Sequence, residues 1–277
     1  MQIKGRIVKQ ISNLYTVESD NNRYECSLRG KFRNDKITPL VGDFVVFDNV
    51  EKVIESILPR KNSLNRPTIA NVDVALIITS AKKPDINLSL LDKEIVCIEN
   101  ESIEPVICIT KVDLLDKKEK KEIKNIINMY RTIGYKVLTN RNLFKLRRLL
   151  KGKEVVLTGQ TGAGKSTLIN RLDKSFNLDT SPISEALGRG VHTTRHTEIY
   201  NVKGSFIADT PGFSALDLNI KKDELKNLFR EFKGISCKFD DCMHINEKDC
   251  NIKKLVENGT ISKSRYDNYV KMWSDLK

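Results

Sequence analysis

Apolar and polar positions change rhythm twice along the chain. Over residues 1–66, short β-branched and aromatic-rich runs occur at Lys4–Gln10, Tyr15–Glu18, Tyr24–Leu28, Phe44–Asp48 and Val53–Leu58. Turn-forming residues separate them: Ser12-Asn13, Asp20-Asn21-Asn22, Arg29-Gly30, Gly42-Asp43 and Asp48-Asn49. Five strands in so short a stretch predict an all-β, OB-like barrel. From 67 to 219, apolar runs at Val74–Thr79, Val106–Thr110, Tyr135–Leu138, Val155–Thr158 and Phe206–Ala208 alternate with helical spacing. The helical stretches are Leu88–Ile98, Lys117–Ile133 and Leu143–Leu150, and the alternation predicts an α/β domain with a mostly parallel sheet. Residues 220–277 are polar and predict a mostly helical domain around a cysteine-rich knot. The reading is therefore multidomain, divided 1–66, 67–219 and 220–277.

Composition narrows the class. Hydrophobic residues make up 39% and charged residues 30%, too apolar for a disordered chain. No apolar run approaches the roughly 18–20 residues of a membrane span. The opening MQIKGRIVKQ lacks the apolar centre of a secretory signal, so the expectation is a soluble cytoplasmic protein. Net charge is +12, and the excess is spread out: 12 basic against 8 acidic groups in 1–66, 23 against 18 in 67–219, 13 against 10 in 220–277. Such a surface favours polyanions, which makes nucleic acid a candidate partner. In the first domain, Arg29-Gly30-Lys31-Phe32-Arg33 interleaves cations with an aromatic, as single-stranded nucleic acid sites do; a solvated loop with one buried Phe is the alternative.

Three motifs carry chemistry. Gly159-Gln160-Thr161-Gly162-Ala163-Gly164-Lys165-Ser166, with Thr167 behind it, fits GxxxxGK[ST] between an apolar strand and a helical run. Glycines let main-chain N–H groups converge on phosphate oxygens; Lys165 neutralises the terminal phosphates and Ser166 ligates Mg²⁺. Asp209-Thr210-Pro211-Gly212 ends another strand, where a carboxylate can hold Mg²⁺ through water and the Gly212 N–H can meet a γ-phosphate. Thr110-Lys111-Val112-Asp113 follows a third strand. Its carboxylate can accept from guanine's N1–H and N2–H₂, whereas adenine offers only an acceptor there and would leave Asp113 unpaired. The chain is thus expected to bind GTP and GDP.

The order of these motifs is unusual. The guanine motif precedes the P-loop, which precedes Asp209–Gly212, so the usual linear order is circularly permuted. The segment leaving Gly212 runs straight into the last domain, which predicts coupling of nucleotide state to that domain's orientation. Of six cysteines, Cys26, Cys97 and Cys108 lie in or beside apolar segments, while Cys237, Cys242 and Cys250 cluster with His244. In a reducing compartment such a cluster points to metal, with a redox cluster or buried thiols as alternatives. Three thiolates and one imidazole within 14 residues can close a tetrahedral, structural Zn²⁺ site.

Over essentially its full length the chain resembles the circularly permuted, ribosome-associated GTPases of the RsgA/YjeQ type. The resemblance implies an OB-fold, a permuted GTPase core and a zinc-binding C-terminal domain, acting in late maturation of the bacterial small ribosomal subunit. It implies binding to the subunit and its rRNA in the GTP state and release after hydrolysis. Cys237-x₄-Cys242-x-His244-x₅-Cys250 matches the family's zinc pattern, and Gly188–Thr197 is similar to its switch I. Phe213 stands where Ras-like enzymes place a water-orienting Gln, so intrinsic hydrolysis is expected to be slow. His192 is the candidate to position water, with His196 as competitor, and Thr193 or Thr194 to meet Mg²⁺ and γ-phosphate. Two departures stand out: Thr110 replaces the common Asn, and the loop at Thr139-Asn140 lacks the familiar Ser-Ala-Lys. A monomer is expected. Rival readings are a nucleotide-switched RNA-binding module with negligible catalysis, an ATP-dependent remodelling enzyme and a translation factor.

Overall fold

The computed structural model describes all residues except 31–37, 66–67, 174–197, 203, 210–217, 219 and 277. The first five strands are β1 (Gln2–Ile11), β2 (Leu14–Ser19), β3 (Asn22–Leu28), β4 (Phe44–Asp48) and β5 (Val53–Ile57). They pair in the order β1-β2-β3-β5-β4, and β4 returns to β1, closing a five-stranded barrel. Closure leaves no open edge, and the β-branched and aromatic-rich runs supply the lining: Tyr15, Val17, Val45, Phe47 and Ile54 are buried. The two-residue turn between β2 and β3 uses Asp20 and Asn21 at φ 49° and 63°, the left-handed pair that a type I′ hairpin demands and that Asp and Asn tolerate.

A short ribbon of β6 (Ser63–Asn65) and β7 (Thr68–Ala70) leads into the central sheet. Strands β8 (Val74–Ser80), β9 (Glu104–Thr110), β10 (Lys136–Thr139), β11 (Glu154–Thr158) and β13 (Ser205–Asp209) run parallel in the order β10-β9-β8-β11-β13. β8 is buried along its whole length, as a strand covered on both faces must be. Helices α1 (Leu88–Asn100), α2 (Lys117–Thr132), α3 (Leu143–Leu150) and α4 (Lys165–Leu172) connect them. Asn87 caps α1, and Asp116 with Glu119 forms a reciprocal capping box on α2.

β12 (Glu198–Val202), which the hydrophobic pattern did not predict, pairs antiparallel with β13 and meets β1 at Lys9↔Glu198. Barrel and central sheet therefore form one continuous set of strands. The C-terminal domain follows as predicted: two short 3₁₀ turns, the cysteine-bearing loops, then α5 (Asn251–Glu257) and α6 (Lys263–Asp275). Its core packs Phe229, Phe232, Ile252, Tyr269 and Met272 together with Val96 from α1. Among the described residues no helix is long and apolar enough to cross a membrane.

Candidate nucleotide site and metal centre

The crevice forms where the sheet changes direction. β8 lies between β9 and β11, so the loops leaving β9 and β11 open on either side of it, the place where open α/β sheets hold ligands. The P-loop leaves β11 and the guanine motif leaves β9. Gly159 has φ +127°, and a Cβ there would sit 1.9 Å from the Ile78 carbonyl oxygen, so only glycine allows the loop to start. Gly164, at φ +89°, sets the first turn of α4 and aims its free N–H groups back into the loop. Lys165 Nζ folds over the loop, donating to the carbonyls of Gly159 (2.7 Å) and Gln160 (3.1 Å). Ser166 and Thr167 stand in the first turn of α4.

Residues some 50 positions apart meet here. The Thr110 hydroxyl donates to the Ala163 carbonyl at 2.5 Å and lies 3.3 Å from that of Thr79. Lys111, in the left-handed region at φ 54°, donates Nζ to the Gly162 carbonyl at 2.8 Å and to that of Lys83. Val112 is buried behind them, and Asp113 projects into the open on a 3₁₀ turn. Thr110 thus fastens the guanine motif to the P-loop through a hydroxyl. The Thr139-Asn140 loop, at the place of a ribose- and base-supporting loop but without its Ser-Ala-Lys, also converges: Asn140 N donates to Ile109 O (3.0 Å), and its Nδ2 lies 3.4 Å from Asp113 Oδ1. Gln160 Oε1 and Asn140 Oδ1 are buried without a hydrogen-bond partner among the described residues, as expected of a site shaped for a polar ligand.

Beneath the P-loop lies a carboxylate that sequence reasoning missed. Glu94 of α1 accepts from Thr158 Oγ1 at 2.9 Å, and burial pushes its carboxyl up to about 7, against the opposing pull of Thr158, Lys165 and the Gly159 N–H. Asp209 ends β13, one residue past the Val156↔Ala208 pair and so at the same sheet edge as the P-loop. His192, Thr193, Thr194, His196, Gly212 and Phe213 lie outside the described residues, as do Lys31, Phe32 and Arg33.

Cys237, Cys242, His244 and Cys250 bring their ligand atoms within 4.8 Å of one another. His244 Nδ1 lies 3.3 Å from the sulfurs of Cys242 and Cys250 and 3.6 Å from that of Cys237, and the Cys237 and Cys250 sulfurs are 3.9 Å apart. A tetrahedron with ordinary Zn–S and Zn–N bonds has edges of about 3.5–3.8 Å, so the donor set is compatible with one zinc ion. The loop is braced around it. Tyr266 and Tyr269 hydroxyls donate to the His244 and Met243 carbonyls (2.6 and 2.5 Å), and Glu247 accepts from the N–H groups of Met243 and Ile245.

Comparison with known proteins places this geometry. Residues 57–219 match the RsgA GTPase family model, and residues 4–55 match the RsgA N-terminal domain model. The chain belongs to the RsgA GTPase family. Relatives named small ribosomal subunit biogenesis GTPase RsgA span its full length. The one from Caldanaerobacter subterraneus subsp. tengcongensis is 44% identical, covering 100% of this chain and 96% of its own. That from Geobacillus kaustophilus is 45% identical, covering 99% and 97%. Among solved structures, YjeQ from Thermotoga maritima superposes with a TM-score of 0.87 at 34% identity, covering 100% of this chain and 99% of its own. YloQ, described as a circularly permuted GTPase, gives 0.85 at 36%, covering 100% and 95%. The RsgA fold thus accounts for the barrel, the permuted core and the Cys/His-bearing domain seen here.

Proposed function

We propose that this RsgA-family protein hydrolyses GTP to GDP and phosphate, binds the small (30S) ribosomal subunit through its rRNA in the GTP state, and leaves it after hydrolysis, late in subunit maturation. The observation that carries the nucleotide half is the junction of Thr110 with Ala163 and Lys111 with Gly162, which makes one crevice of a guanine motif and a P-loop that the chain keeps apart. The partner rests on relatives named as small-subunit biogenesis GTPases, and the late timing and the release on the family resemblance alone.

In this reading the backbone of Gly159–Thr167 cradles the phosphates, and Lys165 exchanges its two loop carbonyls for phosphate oxygens. Asp113 accepts from the guanine edge, with Lys111 lying along the base and Asn140 steadying the carboxylate. Ser166, Thr193 and, through water, Asp209 would hold Mg²⁺, which supplies charge neutralisation at the phosphates. His192 orients the attacking water, and Gly212 senses the γ-phosphate. The four Cys/His donors hold one structural zinc. The domains are 1–66 (RNA-binding barrel), 67–219 (GTPase) and 220–277 (zinc-binding), in a cytoplasmic monomer.

The test is turnover of GTP and ATP by zinc-replete protein, with and without isolated small subunits. Slow, GTP-only turnover that rises sharply with small subunits is the expected result. Hydrolysis of both nucleotides alike would remove guanine selectivity, and no response to subunits would remove the ribosomal partner. A His192→Ala variant with full subunit-stimulated turnover would take His192 out of the mechanism.

A further inference from the structure

Glu94 lies directly behind the P-loop, on a helix whose other two carboxylates, Asp92 and Glu99, pair with Arg265 and Arg230. It is 3% exposed, and the Thr158 side chain to which it is bonded is wholly buried. Thr158 is the last residue of β11 and Gly159 the first of the loop, so the carboxylate grips the point where strand becomes loop. From β11 and the loop it faces the Thr158 hydroxyl and the Gly159 N–H; from α4 it faces the Lys165 ammonium. Its neighbour Asp92 turns to the C-terminal domain, bonded to Arg265, Tyr130 and Asn268. Thus Glu94 puts a carboxylate on the blind side of a loop whose open side is built to receive phosphates.

We infer that Glu94 is a positioning residue of the nucleotide site and that its carboxyl takes up a proton when a nucleotide diphosphate or triphosphate binds. The inference rests on the nucleotide reading given above. Phosphate oxygens would bring like charge to the other face of the loop and draw Lys165 toward themselves. Both changes favour the neutral carboxyl. A protonated Glu94 still accepts from Thr158, so the loop keeps its anchor while the repulsion disappears. Burial already pushes the carboxyl up to about 7, so the exchange falls in an accessible range.

Linkage fixes the sign. If the bound form holds the proton more tightly, affinity is highest below the free-state value and falls as pH rises through it, by at most about tenfold per pH unit for one proton. The experiment is calorimetric titration of Mg·GDP into the full-length, zinc-replete protein, from pH 6.5 to 8.5, in buffers of differing ionisation enthalpy. Wild type should take up a fraction of a proton beyond that taken up by Glu94→Gln and lose affinity with rising pH more steeply than that variant. Thr158→Val keeps the carboxylate but removes a hydrogen bond that favours its charge, so it should move the pH window upward. Identical proton uptake and pH profiles for wild type and Glu94→Gln would overturn the inference. Should Glu94→Gln not fold, an unmoved window in Thr158→Val overturns it equally. Absence of Mg·GDP binding at every pH would remove the nucleotide reading itself, and this inference with it.

Discussion

The barrel and the C-terminal domain hold the same α/β core in different ways. The barrel continues its sheet: β1 meets β12 at Lys9↔Glu198, and the same pair is joined by an ion pair at 2.8 Å. Arg6 adds a fork to Glu154, its guanidinium lying 5.2 Å from the Phe206 ring centre and 5.7 Å from that of Phe44. Among the described residues the C-terminal domain shares no strand with the core. It inserts Arg265, fully buried, between Asp92 of α1 (2.6 Å) and Glu231 (2.7 Å), with the Phe229 ring 4.7 Å away. Arg230 reaches Glu99 and Glu104 beside it.

The contrast has a functional side. The C-terminal domain grips α1, the helix that carries Glu94 to the P-loop, and β9, which ends in the guanine motif. The barrel grips the first residue of β12, just after the segment that sequence assigns to switch I, and the first residue of β11, the strand that leads to the P-loop. The two flanking domains therefore hold different elements of the α/β core: α1 and the start of β9 on one side, β12 and the start of β11 on the other. Buried charge and sheet continuity also differ in how they fail. A fully buried ion loses its compensation when one partner is removed, whereas a pair that reaches solvent, as Lys9 with Glu198 does, is partly replaced by water.

That contrast can be broken in graded steps. Chelation, or Cys242→Ala, should have the largest effect. A structural zinc in a small domain supplies about 10–16 kcal/mol, so the C-terminal domain should unravel first while the closed barrel survives, as followed by zinc content and limited proteolysis. Retention of the C-terminal domain without metal would make the thiol cluster a packing feature. Next comes Arg265→Ala, which strands Asp92 and Glu231 and should cost about 3–5 kcal/mol in denaturant unfolding. Arg265→Met, filling the space without charge, still leaves both carboxylates stranded and should recover only part of that loss. Arg6→Ala should cost less, about 1–2 kcal/mol, because its fork stands nearer solvent. Lys9→Ala, whose side chain is about a quarter exposed, should cost under about 1 kcal/mol and lose even that in high salt. Equal losses for Arg265→Ala and Lys9→Ala would dissolve the distinction between the two junctions.

Much of this was legible in sequence, for identifiable reasons. All five barrel strands were legible as β-branched and aromatic-rich runs between turn residues, and α3 was read to its observed ends because its leucines keep helical spacing. The P-loop, the guanine motif and the Cys/His cluster stood out because each proposed chemistry fixes residue types at short spacing, and the structure brings the first two to one crevice and the four Cys/His atoms together. β12 was not, since Glu198-Ile199-Tyr200-Asn201-Val202 buries Ile199 and Val202 without strict alternation. Glu94 was also missed. A charged residue in an amphipathic helix reads as solvent-facing, but α1 is covered by the sheet on one side and the C-terminal domain on the other, so Asp92 and Glu94 are both buried. Asn140 carried no motif; only the return of β10 beside β9 brings it to Asp113.

The central claim is that motifs in permuted order fold into one guanine-selective site, and the most direct measurement is binding of Mg·GDP against Mg·ADP to wild type and Asp113→Asn. A carboxylate that pairs with guanine's donors should favour GDP by about 10⁴. Asp113→Asn should erase most of that preference while Lys165 and the loop still hold phosphate. Equal affinity for the two nucleotides, or an unchanged preference in Asp113→Asn, would contradict the account.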